Sequence, residues 1–113
     1  MTKIKFYKSK DKFVGFEISG HTGYNQYGKD VLCATISGIT QSTTLGIRDV
    51  CKINANISRD DDSGYLKVEL PNNLDKQTFD KVQVLLETLY VSINDLCLGY
   101  SKYISMEVIE NVY

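Results

Sequence analysis

The apolar residues of this chain switch between a spacing of two and a spacing of three or four, and each switch limits what the backbone can form locally. Ile4 and Phe6 alternate with lysines between Lys3 and Lys8, and after the turn signal Lys10-Asp11 the residues Val14, Phe16 and Ile18 alternate again. Strict alternation gives a strand one apolar face, so an opening hairpin is expected. Gly20, Gly23 and Gly28, with Asn25 among them, then interrupt any period and mark a permissive loop. From Asp30 the spacing lengthens. Leu32, Ile36, Ile39, Thr43, Ile47 and Val50 predict a helix running to about Cys51, with Asp30 as its N-cap and Gly38 giving room for helix packing.

The second half repeats the scheme. Ile53, Ala55 and Ile57 alternate, as do Leu66, Val68 and Leu70, around the acidic turn Asp60-Asp61-Asp62-Ser63-Gly64. Pro71, Asn72 and Asn73 end that hairpin. Phe79, Val82, Leu86, Leu89, Ile93 and Leu96 then predict a second long helix, with Lys76, Asp80, Lys81, Gln83 and Glu87 mostly off its apolar stripe. Ile104, Met106 and Val108 alternate once more. The expected order is ββαββαβ: an α+β fold in a single domain over residues 1–113, two helices packed on a mixed or antiparallel sheet.

Charge and cysteine usage narrow the function classes. A formal net charge of −1 with scattered Lys and Arg gives no footprint for nucleic acid. Apolar runs are as short as Val84-Leu85-Leu86, and the start of the chain alternates where a signal peptide would not, so a cytoplasmic protein with no membrane segment is expected. Three cysteines, Cys33, Cys51 and Cys97, are odd in number and widely spaced, which argues for reduced thiols. With His21 they would make a zinc set, but no close pair pre-organises them. The acidic turn lacks the EF-hand spacing, because Pro71 stands where the terminal Glu would be. No metal is expected.

Chemistry concentrates between Gly20 and Ser37. Cys33 falls in the first turn after the Asp30 cap, where unpaired amides and the helix dipole favour an anion. His21, the one histidine, comes from the glycine loop and can fold back onto that sulfur as a base. Amides at the same helix start could hold an oxyanion. The Asp30 carboxylate opposes a thiolate unless capping or an imidazolium absorbs its charge. Ser37, one turn on, could support the pair or bind substrate, or bond back to its own helix. Tyr24 and Tyr27 are gates over a peptide or exposed loop aromatics. Cys51 and Cys97 border the helix stripes and read as core. Three classes stay open: a cysteine hydrolase, an interaction module in which Cys33 is structural, and a thiol sensor, for which a nearby resolving cysteine is lacking.

The stretch G-H-x-G-Y-x-x-x-G-x-D-V-x-C-A-x-x-S, here Gly20-His21, Gly23-Tyr24, Gly28, Asp30-Val31, Cys33-Ala34 and Ser37, resembles the signature of the ribosomal-processing cysteine proteases, the Prp family. Length and element order agree with that family over essentially the whole chain; Thr35 stands where a smaller residue is expected, with an effect confined to helix packing. The resemblance implies a cofactor-free, homodimeric endopeptidase of Firmicutes-like bacteria, with Cys33 as nucleophile and His21 as general base and acid. It also implies that the glycine loop moves to admit substrate. The implied substrate is the N-terminal extension of large-subunit ribosomal protein twenty-seven, cut beside an aromatic-rich segment during ribosome maturation. The non-catalytic alternative is a dimeric, ribosome-associated binding module.

Overall fold

The computed structural model describes residues 1–21 and 30–112. Gly23, Tyr24, Tyr27 and Gly28, and with them the expected loop motion, lie outside the described residues. The elements run β1 (Thr2–Ser9), β2 (Lys12–Ser19), α1 (Val31–Leu45) continuing into a π-helical turn (Gly46–Val50), β3 (Asn56–Asp60), β4 (Tyr65–Glu69), α2 (Lys76–Gly99) and β5 (Ile104–Ile109). This is the expected ββαββαβ order. One mixed sheet has the strand order β3-β4-β2-β1-β5, with β1 parallel to β5 and every other pair antiparallel.

Alternation sends Ile4 and Phe6 of β1, Phe16 and Ile18 of β2 and Val68 of β4 to one sheet face, where they meet Leu32, Ile36 and Ile47 of the first helical run and Val82, Leu86, Leu89 and Ile93 of α2 in one buried cluster. Phe6 is fully buried, packed edge-on against Phe13 and Tyr90 at centroid distances of 5.5 and 5.4 Å. Burying a side chain of that size contributes about 2–3 kcal/mol, and through Tyr90 it anchors α2 to the sheet. Cys51 belongs to the core, and Cys97 packs against it with burial pushing its thiol pKa up, as their positions on the stripes suggested.

Six local readings change. Opposite β1, the register jumps from Tyr7↔Gly15 to Lys8↔Phe13, leaving Val14 as an extra residue. Such a bulge resets the side-chain parity, so Phe13 joins Phe16 and Ile18 in the core cluster where simple alternation put Val14. In the first helix the apolar stripe ends early: Thr40 is buried, whereas Val50 is 71% exposed. The Cys51 amide bonds to the Gly46 carbonyl at 2.9 Å, an i→i+5 turn that is wider than α and rotates Val50 outward. Gly38 has open space where a Cβ would stand, and the close helix contact falls at Gly46 against Leu85 instead. Thr35 is exposed and its hydroxyl donates to the Val31 carbonyl, so it does not enter helix packing.

On α2, Gln83 is buried and not off the stripe. Its amide accepts from the Phe13 N–H at 2.9 Å and donates to the Phe13 carbonyl at 2.7 Å, satisfying the backbone beside the bulge. In the second hairpin, Ile53 is buried ahead of β3, but Ile57 is exposed, because β3 is the sheet edge. No helix among the described residues is long and apolar enough to cross a membrane.

Candidate functional site

Three chain segments meet at one end of the sheet. Strand β2 lies between β1 and β4, so its last residues emerge beside the first residues of both antiparallel neighbours. There Gly20, at φ +86°, turns the chain close under the Met1 carbonyl, which would sit 2.7 Å from any Cβ. The next residue is His21. The start of α1 approaches from the helical layer and brings Cys33 to meet it.

The Asp30 cap forms as expected. Asp30 Oδ1 accepts the Cys33 N–H at 2.9 Å, and the Asp30 carbonyl accepts the Ala34 N–H at 3.0 Å. This fixes Cys33 in the first turn of α1. The Cys33 Sγ atom lies 3.7 Å from Nδ1 of His21, within hydrogen-bond reach for sulfur, and both side chains are half-buried. The other ring nitrogen, Nε2, faces the Asp62 carbonyl at 3.4 Å.

A cleft of about 630 Å³ opens around this pair between the first turns of α1 and the β3–β4 hairpin. Its walls are mixed: Ile18, Ile36 and Leu66 are apolar, whereas Ser37, Arg59 and Tyr65 supply polar groups. Ser37 is exposed on this wall and its hydroxyl accepts a hydrogen bond from the Gln41 amide at 2.7 Å, so it faces the cleft without being tied to the helix backbone. Thus Gly20, His21, Asp30, Cys33 and Ser37 come together as the motif suggested. Sequence reasoning missed the second wall. The β3–β4 hairpin, whose acidic turn was read only as a solvated connection, brings Arg59, Asp61 and Gly64 to the same cleft, and only the pairing of β4 with β2 reveals this.

The family model of cysteine protease Prp matches residues 1–105. The chain is 26% identical over 101 residues to the ribosomal processing cysteine protease Prp of Bacillus subtilis, covering 88% of this chain and 90% of that protein. Against the Staphylococcus aureus protein of the same name it is 25% identical over 89 residues, 79% of this chain and 80% of that one. In three dimensions it is similar to SMU.848 from Streptococcus mutans, with a TM-score of 0.84 at 23% identity, covering 97% of this chain and 95% of the other. The Staphylococcus aureus Prp structure with a covalently linked product peptide gives a TM-score of 0.84 at 20% identity, covering 96% and 99%. These likenesses concern the fold, and the family match extends over the strand, the helix start and the hairpin that build the cleft. The chain therefore belongs to the Prp family of ribosomal processing cysteine proteases.

Proposed function

We propose that Cys33 is the nucleophile and His21 the general base and acid of an endopeptidase that removes the N-terminal extension of large-subunit ribosomal protein twenty-seven. The observation that carries this reading is the 3.7 Å approach of Cys33 Sγ to His21 Nδ1 at a helix start, inside an open cleft. The Staphylococcus aureus relative bound to a substrate peptide supports a peptide as the ligand of this cleft. A cytoplasmic homodimer working without cofactor, metal or nucleic acid completes the proposal, by the same kinship.

The reaction follows from the groups at hand. Nδ1 takes the thiol proton, and the sulfur attacks the scissile carbonyl carbon, whose π electrons move to oxygen. The oxyanion is assigned to backbone amides at the start of α1, where the Cys33 and Ala34 amides are engaged by Asp30 before substrate arrives. When the tetrahedral intermediate collapses, the C–N bond breaks and the amine leaves with the proton held on Nδ1. Water, activated by the neutral ring, then hydrolyses the thioester and restores the thiol. In this scheme Asp30 caps α1 and thereby sets the position of the sulfur. Ser37 and Gly20 belong to the substrate-binding wall, and Gly23, Tyr24 and Gly28 are assigned a supporting or substrate-binding role by kinship alone.

The test is incubation of the protein with a peptide carrying the ribosomal extension, beside Cys33→Ala and His21→Ala variants. Cleavage by the unmodified protein alone is expected. An uncut peptide in every case, or cleavage by Cys33→Ala, would overturn the proposal.

A further inference from the structure

We infer that the main-chain carbonyl of Asp62, at the tip of the β3–β4 hairpin, is the third member of the catalytic constellation: it fixes the tautomer and the orientation of His21. This rests on the reading of His21 as the base. A carbonyl oxygen can only accept, so its approach to Nε2 at 3.4 Å selects the ring form that carries its proton on Nε2. Nδ1 is then left with its lone pair toward the Cys33 sulfur, the arrangement that proton abstraction from the thiol requires. After that transfer both ring nitrogens carry protons, and Nε2 still donates to the same oxygen. The ring keeps its aim while it holds the proton for the leaving amine.

The hairpin is built to hold this oxygen in place. Asp60 Oδ1 accepts the Asp62 N–H at 3.1 Å, the Asp61 carbonyl accepts the Gly64 N–H at 3.2 Å, and Arg59 pairs with the Asp61 carboxylate at 2.6 Å. Gly64 lets the turn come this close. It has φ +66°, and a Cβ there would stand 2.7 Å from the Gly20 carbonyl and 3.1 Å from Cε1 of His21. The cluster of acids thus acts through its backbone. The Asp62 side chain is not the orienting group, which separates this device from a carboxylate-based triad. Among the described residues, the charged and titratable groups of this cleft are Asp30 and Cys33 at the start of α1 and Arg59, Asp61, Asp62 and Tyr65 from the hairpin.

Because His21 is the only histidine, nitrogen-15 labelling of histidine gives one ring to observe. In the protein the neutral ring is expected to carry its proton on Nε2. A neutral ring that carries its proton on Nδ1 would overturn the inference. Gly64→Ala is expected to mix the two tautomers and to lower kcat on the extension peptide by at least about tenfold with little change in KM, as a displaced base does. An unaffected Gly64→Ala would also overturn it. Should Gly64→Ala not fold, the nitrogen spectrum of the unmodified protein still decides. Failure of the unmodified protein to cut the peptide would defeat the protease reading instead, and leaves the tautomer measurement to stand by itself.

Discussion

Asp30 accepts the amide proton of Cys33 at 2.9 Å, so the residue that starts α1 also sets where the sulfur stands. Asp30→Ala removes that cap and is expected to destabilise the protein by about 1 kcal/mol and to lower turnover as the first turn frays. Asp30→Asn keeps an acceptor oxygen without the negative charge, and should restore most of the stability. Urea unfolding of the two variants checks this. Equal loss in both would show that the charge, and not the cap, was the stabilising feature.

Gln83 makes two hydrogen bonds with the backbone of Phe13, seventy residues away in sequence. Gln83→Leu leaves a buried N–H and a buried carbonyl without their partner, an expected loss of about 2 kcal/mol or more by urea unfolding. Gln83→Glu keeps the acceptor but sets a carboxylate oxygen against the Phe13 carbonyl, so the folded state raises the pKa of that acid. A raised pKa means stability present at low pH and lost as pH rises through the folded value. The two variants should therefore diverge between acid and neutral pH, and coincident profiles would contradict the assignment.

Gly15 sits in the middle of β2 with the Val68 carbonyl 2.6 Å from where a Cβ would be. That neighbour is sheet backbone and cannot swing aside. Gly15→Ala is expected to cost about 1–3 kcal/mol, read as a lower urea midpoint with an unchanged slope.

On the sheet face away from the helices, the Tyr7 hydroxyl donates to Glu17 Oε1 at 2.6 Å. Burial alone would push the Glu17 carboxyl up, but hydrogen bonds from Tyr7 and Tyr65 and the charges of Lys67 and Lys5 bring it below its usual value. A depressed carboxyl contributes stability that is present above its unfolded pKa and lost as pH falls through the folded one. Tyr7 is raised, first by burial and then by Glu17, so its contribution is present below its ordinary value and lost only in strong alkali. Tyr7→Phe should flatten the acid limb of stability against pH, measured by urea unfolding from about pH 3 to 7. An unaltered acid limb would contradict this.

Much of this molecule is legible along the chain, and the exceptions share a cause. The helix starting at Asp30, the strand from Ile104 and the turn at Asp60–Gly64 announce themselves through local period and capping chemistry. Phe13 and Val50 were misplaced because a bulge and a π-helical turn each change the count of residues, and periodicity assumes a constant count, whereas Gln83 is buried because its amide pairs with the Phe13 backbone at the bulge. The pairing of His21 with Cys33 was foreshadowed by the motif. The approach of the Asp62 carbonyl was not, since a backbone oxygen leaves no side-chain signature and reaches the ring only through the pairing of β2 with β4.

The most direct measurement of the central claim is acid quenching of the protein with its extension peptide before the first turnover ends, followed by mass mapping of the acyl group. The account expects the acylated peptide to contain Cys33, and the adduct to fail to accumulate in His21→Ala. An acyl group on Cys51 or Cys97, or cleavage that proceeds without any thioester at Cys33, would contradict it.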